Sequence, residues 1–262
     1  VVAAIGLSVP FWLPAQTQKN LLSGFRRYPP EQFFGGQQLE LAKAIRDCDL
    51  GRIKSITPNV DLNAPGNNNM TLLAFAVQEA IPVKTDGENV RFQIISQLVK
   101  GGAKPQQTFL ESSNLAFAAA QSDTPNFLKA FLAGGMSPNL RYDGDTPLLF
   151  ATAKDRQLPE MKALVEHKAD VNIRDSIGDT ALTGATQLRQ WDTVDYLLVH
   201  GADPTVTNSI GVTYSKVLAI ELKSTPKDSP QLERINAIGK RISAAGGQWP
   251  PVRTTAGRRR SE

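Results

Sequence analysis

The chain has 262 residues, of which 41% are hydrophobic and only 7% are aromatic, and its formal net charge is +4. Residues 253–262 contain four arginines against one glutamate, so the other 252 residues carry a net charge of only +1. A nearly neutral body lacks the basic surface with which proteins bind nucleic acid. The single cysteine excludes an intrachain disulfide, so the fold must depend on packing.

The N-terminal residues differ in composition from the rest of the chain. Residues 1–13 carry no charge and are largely apolar, which is typical of a secretory signal or a membrane anchor. Cleavage after Ala15 would place a large residue where a small one is preferred, which favours an uncleaved anchor; a buried capping helix is the alternative. We predict a signal-peptide remnant or membrane anchor over residues 1–15. A linker is predicted over residues 16–36, in which Tyr28-Pro29-Pro30 interrupts regular structure.

Two sequence markers repeat along the rest of the chain. The first is a threonine or serine before a short apolar run, at Thr71, Ser113, Thr146, Thr180 and, in a weaker copy, Thr213. The second is a glycine or lysine before a small or apolar residue, at Gly102, Gly135, Lys168 and Gly201. Both have a period of 33 or 34 residues, apart from one longer interval between Thr71 and Ser113. Threonine caps a helix N-terminus and glycine ends a helix in a left-handed turn, so each period predicts two helices.

Three segments carry a closer resemblance. Asp145-Thr146-Pro147-Leu148, Gly178-Asp179-Thr180-Ala181-Leu182 and Gly201-Ala202-Asp203-Pro204 resemble the ankyrin repeat. The resemblance implies an all-α fold class, an ankyrin-repeat solenoid of about six helix–turn–helix units over residues 37–247. The predicted units are 37–69, 70–111, 112–144, 145–178, 179–211 and 212–247.

The ends of the array and two insertions depart from the repeat. The first and last units are expected to be atypical capping repeats, because one face of each meets water. Insertions near Ala80–Arg91 and Lys223–Gln231 fall between the two helices of a unit. Residues 248–262 are predicted to form a basic disordered tail.

The sequence contains no pattern that indicates catalysis. His167 and His200 lie 33 residues apart, at the C-terminal turn of a second helix, where a cation interacts favourably with the helix dipole. No nucleophile elbow, phosphate-binding loop, metal-ligand spacing or dinucleotide-binding turn is present. Asp143 and Asp145 flank a glycine, but the rest of a calcium loop is missing. We expect a non-enzymatic protein that uses no cofactor and no metal.

The resemblance implies a protein-binding surface. In proteins similar to this one, partners are held by the tips of the connecting loops and by the exposed ends of the first helices. The matching loop positions are Arg141, Tyr142, Asp143, Asp145, Arg174, Ser176, Ile177, Asp179, Thr207, Asn208, Ser209 and Ile210. The matching helix ends are Lys154, Gln187 and Leu188.

Some of these positions are better candidates than others. Tyr142 and Arg174 are the preferred anchors, because interfaces favour large residues with several hydrogen-bond donors. A plain solvated loop is the alternative for every position, and Ile177 and Ile210 could pack loop against loop. Trp191 is either a core residue or an exposed anchor.

The start of the repeat block indicates a biological setting. Residues 33–45 resemble the corresponding part of ankyrin proteins found beside type VI secretion lipase effectors. This resemblance implies an immunity protein, monomeric when unbound, that binds and neutralises a cognate secreted lipase toxin in the periplasm. No nucleic-acid partner is expected, and membrane contact is expected only through the N-terminal segment, which would anchor the protein to the inner membrane. The alternatives are a periplasmic ankyrin protein that supports catalase and oxidative-stress resistance, and a general scaffold or adaptor.

Overall fold

The structure is a computed structural model that describes residues 28–81, 90–110, 113–142 and 145–251. These residues form two compact units. Unit 1 consists of residues up to Asp143 together with Arg156–Asp170, and unit 2 of Gly144–Asp155 together with the residues from Val171 onward. The N-terminal anchor, the centre of the first insertion and most of the basic tail, all predicted above, lie outside the described residues. No helix within the described residues is both long and apolar enough to cross a membrane.

Helices dominate the described residues. In chain order, the α-helices are α1 (Gly36–Arg46), α2 (Leu50–Ile56), α3 (Leu72–Glu79), α4 (Val90–Lys100), α5 (Leu115–Ala120), α6 (Asn126–Ala133), α7 (Leu148–Ala151), α8 (Leu158–Glu166), α9 (Ala181–Gln187), α10 (Trp191–Val199), α11 (Tyr214–Ser224) and α12 (Gln231–Ala244). Short 3-10 helices span Pro30–Gln32, Thr57–Asn59, Asn67–Asn69 and Asp155–Gln157. The strands are β1 (Thr108–Leu110), β2 (Ser113–Asn114), β3 (Arg141–Tyr142) and β4 (Thr146–Pro147).

The helices of each unit pack in the order that the repeat predicts. In unit 1, α1 packs on α3, and α2, α4, α6 and α8 pack in succession. In unit 2, α9 packs on α7 and α11, while α10 and α12 pack on α9 and α11, respectively. First helices therefore lie on first helices, and in unit 1 second helices lie on second helices. The predicted all-α fold of stacked helix–turn–helix units is confirmed.

The first helices begin at the predicted caps, with one shift in register. The hydroxyl oxygens of Thr71, Thr180 and Thr213 accept hydrogen bonds from the amides three residues later, at 3.1, 3.5 and 3.3 Å. In the third repeat, the cap is Asn114 and not Ser113, because Asn114 Oδ1 accepts the amide proton three residues later at 2.8 Å. The helix of the fourth repeat likewise begins one residue later than predicted, after Pro147.

The second helices end at the predicted left-handed residues. Gly102, Gly135, Lys168 and Gly201 have φ values of 104°, 100°, 70° and 91°. The amide after each of them donates to the carbonyl five residues earlier, at 2.9–3.0 Å. This geometry satisfies a carbonyl that the end of the helix would leave unpaired.

Asparagines in the following loops join consecutive repeats. Asn63 donates to the carbonyl of Gly102 and accepts from the amide of Lys104, both at 2.9 Å. Asn172 in unit 2 makes the same pair of bonds, to the carbonyl of Gly201 at 3.0 Å and from the amide of Asp203 at 2.7 Å. These side chains fix the distance between neighbouring loops.

Packed structure extends beyond the predicted repeat block at both ends. A 3-10 turn spans Pro30–Gln32, where we expected an irregular linker. The next two residues, Phe33 and Phe34, are buried against Phe75, with ring centroids 6.4 and 5.6 Å apart. At the other end, Trp249, which we placed in the disordered tail, packs over Gly239 of α12.

Candidate protein-binding surface

Two loops of unit 2 are built alike. Residues 174–180 and 207–213 are each closed by an antiparallel bridge between their first and last residues. Inside the first loop, Asp175 Oδ1 accepts the amides two and four residues later, at 3.0 and 2.9 Å. Asn208 Oδ1 does the same in the second loop, at 3.2 and 2.9 Å. A short polar side chain that accepts backbone protons in this way holds a turn in one conformation.

Hydrogen bonds also join the two loops to each other. The amide and the hydroxyl of Ser209 both donate to the carbonyl of Ile177, at 2.9 and 2.7 Å. The side-chain amide of Asn208 donates to Asp179 at 3.0 Å. The spacing between the two loop tips is therefore fixed before any partner arrives.

These bonds change the roles of two predicted contact residues. Asn208 is only 9% exposed, and its side chain is used for bonds within and between the loops. Asp179 is half-buried and accepts the Asn208 amide. We therefore correct Asn208 from a partner-contact residue to one that shapes the loop. A polar loop residue does not reveal from sequence whether it faces solvent or its own backbone.

The side chains that the two tips present to solvent are mainly aliphatic and small polar ones. Ile177 is 48% exposed and Ile210 is 74% exposed, so these residues do not pack one loop against the other as core residues would. The other exposed predicted positions are Arg174, Ser176, Thr207 and Ser209. Arg174 donates to the carbonyl of Thr207 at 3.2 Å, so its guanidinium bridges the loops.

The predicted helix-end positions differ in accessibility. Leu188, which follows α9, is 53% exposed, and Gln187 is also exposed. Lys154 is half-buried. Trp191 is buried at the start of α10, so it is a core residue and not an exposed anchor.

The loop positions nearest β3 are less well suited to a purely binding role. Arg141 and Asp145 are exposed. The ring of Tyr142 is half-buried, because it lies against Phe117 with ring centroids 4.4 Å apart. Truncation of Tyr142 would therefore remove a contact within unit 1 as well as any contact with a partner. Asp143 lies outside the described residues.

The two histidines lie where the repeat predicts them. His167 and His200 follow the last residues of α8 and α10, and their Nδ1 atoms are 2.9 and 2.8 Å from the carbonyl oxygens four residues earlier. The ring of His200 also stacks on Tyr196, with centroids 3.9 Å apart. Both rings thus interact with the C-terminal ends of their helices.

One buried acid was not recognised from the sequence. Glu160 in α8 is 1% exposed, and neither carboxylate oxygen has a hydrogen-bond partner. Burial raises the pKa of Glu160 from 4.5 to about 7, and Asp123 raises it further, against the opposing effects of a backbone hydrogen bond and Lys129. No group of three His, Cys, Asp or Glu side chains in the described part of the chain could hold a metal ion.

Comparisons with known proteins agree with this geometry. Residues 115–208 match the model of the ankyrin-repeat family over three copies. No curated protein matches the sequence significantly. The chain is similar in structure to the ankyrin-repeat protein EF0377, with 20% identity, a TM-score of 0.53, and coverage of 76% of this chain and 96% of that one. It is also similar to the ankyrin-repeat domain of Bcl-3, a member of the IkappaB protein family, with 18% identity, a TM-score of 0.55, and coverage of 80% and 86%.

A third solved structure matches less well. It is the complex of the Bd0816 predatory endopeptidase from Bdellovibrio bacteriovorus with the immunity protein Bd3460, at 18% identity and a TM-score of 0.49, covering 76% of this chain and 97% of that one. That score carries no inference about the function of this chain. Residues 115–208 are ankyrin repeats, the class of repeat that acts in protein binding, and the two better matches show the same fold.

Proposed function

We propose that this chain is a protein-binding module of the bacterial cell envelope that neutralises a secreted lipase effector by covering its active-site mouth. The observation that carries the binding role is the pair of loops in unit 2, whose tips are fixed by hydrogen bonds and present Ile177 and Ile210 to solvent. A surface fixed in advance loses little conformational entropy on binding. Occlusion requires no reactive group on the chain itself.

The choice of a lipase as partner is supported by the resemblance of residues 33–45 to proteins encoded beside lipase effectors. In the structure, the apolar residues of this stretch are buried, Leu41 and Ile45 among them. The resemblance therefore concerns the packing of the first repeat and does not mark a contact with the toxin. Contact residues have to be sought in the loops.

Calorimetry tests the proposal directly. The purified chain is titrated with the lipase encoded by the neighbouring gene, and the effect on lipase activity is measured in parallel. We expect binding and inhibition together. The variant Ile177→Asp/Ile210→Asp should weaken binding by about tenfold or more, because it places charge at the centre of an apolar contact. Val199→Asp, at another exposed aliphatic position of unit 2, is the matched control.

Each result has a definite meaning. No binding by the wild type would defeat the lipase proposal and leave the catalase-support and scaffold alternatives. Binding that the loop variant leaves unchanged would move the interface away from these tips. Binding without inhibition would exclude occlusion of the active site.

The proposed location has its own test. The uncharged residues 1–13 support an envelope protein whose repeats face the periplasm. A fusion of the full-length chain to a reporter that is active only in the periplasm should give signal in the envelope fraction. Signal confined to the cytosolic fraction would contradict the location.

A further inference from the structure

One face of α11 alternates positive charge and apolar surface. Lys216, Ile220 and Lys223 are spaced four and three residues apart, so they lie on the same side of the helix. All three are exposed, and Ile220 is 62% exposed. The ammonium group of Lys216 donates to the carbonyl of Gly211 at 3.2 Å, which links this face to the loop tip at Ile210. We call Ile210, Lys216, Ile220 and Lys223 the α11 row.

The end of α9 adds a second apolar side chain beside the row. Arg189 has a φ of 57°, and its guanidinium donates to Glu221 and Ser224 of α11, both at 2.7 Å. Because Arg189 follows Leu188 and Glu221 follows Ile220, these bonds bring the two exposed aliphatic positions to neighbouring helix surfaces. The two repeats thus present one surface with an apolar centre.

The charge of this surface has one sign. The only acidic residue of α11 is Glu221, which is buried and paired with Arg189. The exposed face of α11 therefore carries the two lysine ammonium groups and no exposed carboxylate. Potentials of opposite sign across an interface increase the rate and the specificity of association. An apolar patch between two cations consequently fits an aliphatic group between two carboxylates.

Building on the proposed binding role of unit 2, we propose that the α11 row and Leu188 bind an acidic segment of the protein partner. That segment carries an aliphatic side chain between two carboxylates, which lie about 10 Å apart to match the two helical turns from Lys216 to Lys223. The segment binds by pairing its carboxylates with Lys216 and Lys223 while its aliphatic side chain covers Ile220 and Leu188.

A synthetic peptide tests this chemistry without knowledge of the natural partner. The isotopically labelled full chain is titrated with a helical peptide that carries two glutamates two turns apart and leucines between them, and amide shifts are followed by NMR. We expect shifts in α11 and near Leu188, with affinity at least about tenfold above that of the peptide with glutamine in place of glutamate. A lysine counterpart should not bind. Equal affinity of the glutamate and glutamine peptides, or shifts confined to other surfaces, would overturn the proposal.

Variants of the chain provide the second part of the test. Lys216→Glu/Lys223→Glu and, separately, Ile220→Asp should each lower affinity for the acidic peptide by about tenfold or more, and the double variant should also abolish its salt dependence. Lys240→Glu and Val199→Asp change exposed residues outside the row and should leave affinity unchanged. If sedimentation shows that the wild type self-associates and Ile220→Asp does not, the face belongs to a second copy of the chain and the proposal fails.

The same variants separate this inference from the proposed function. If the neighbouring lipase binds the wild type and Lys216→Glu/Lys223→Glu with equal affinity, the α11 row is not its binding surface, although the lipase proposal survives. If the lipase does not bind but the acidic peptide does, the chemistry of the row is upheld and the partner is a different acidic protein.

Discussion

Arg46 and Glu79 lie 33 residues apart, one repeat period, and form an ion pair of 2.8 Å in which the glutamate is almost completely buried. Arg46 also donates to the carbonyl of Tyr28 and lies over the ring of Phe75, with its guanidinium carbon 5.4 Å from the centroid. A second arginine, Arg91, approaches the other oxygen of Glu79 at 3.6 Å. One guanidinium thus connects the N-terminal segment, the first repeat and the second repeat.

Removal of this guanidinium should destabilise the protein strongly. Arg46→Ala leaves the buried carboxylate with a single distant partner, and we expect the free energy of unfolding to fall by about 3 kcal/mol. The control is Arg52→Ala, which breaks the exposed pair with Glu40 at 3.2 Å and should cost less than about 1 kcal/mol. Urea unfolding followed by circular dichroism measures both. Equal losses in the two variants would show that burial of Glu79 is unimportant.

Glu160 should make stability depend on pH. Because the pKa of Glu160 is raised from 4.5 to about 7, the folded state holds a proton that the unfolded chain has already released between these values. Stability should therefore fall as the pH rises through this window and level off above it. We expect wild type to lose about 2–3 kcal/mol between pH 5 and pH 8 relative to Glu160→Gln. Glu233→Gln, at an exposed position of α12, is the control and should retain the profile of the wild type.

Leu148 and Leu188 provide a matched test of the repeat register. Leu148 begins α7 and is completely buried, whereas Leu188 is exposed. Leu148→Ala should lower the free energy of unfolding by about 2–5 kcal/mol, through lost burial and the cavity left behind. Leu188→Ala should change it by less than about 0.5 kcal/mol. A loss below about 1 kcal/mol for Leu148→Ala would mean that the register is wrong.

Two helical glycines should respond in opposite ways to alanine. At Gly239, an added Cβ would lie 2.6 Å from Cδ1 of Trp249 and closer still to Nε1, so Gly239→Ala must displace the indole. We expect a lower melting temperature and a change in tryptophan fluorescence. Gly184 in α9 has no atom within 4 Å of such a Cβ, so Gly184→Ala should stabilise the protein by up to about 1 kcal/mol. An unchanged melting temperature in Gly239→Ala would place Trp249 elsewhere.

The sequence predicted what repeats and missed what occurs once. The threonine caps and the left-handed turns recur at a constant period, and they were predicted at the correct residues in most repeats. Ser113 and Asn114 can both cap a helix, so their order alone does not fix the register. The packing of Phe33 and Trp249 follows no period, because each lies in a short segment beside a proline.

The candidate surface was predictable only in part. Exposure of Ile177 and Ile210 follows from their place in the loops, and the structure confirms it. The burial of Asn208 and Glu160 could not be predicted, since it depends on side chains brought together by folding. Whether the exposed positions contact a partner remains a prediction.

The internal hydrogen bonds of Asp175 and Asn208 also make the loop tips suitable for engineering. Because these side chains and the closing bridges hold the backbone, the side chains at Ser176, Ile177, Ser209 and Ile210 can be exchanged without redesign of the scaffold. A library randomised at these four positions, with Asp175 and Asn208 retained, would vary recognition while conserving the fold. In natural descent, the same separation lets a lineage change its partner by a few substitutions while the helices that carry the loops stay as they are.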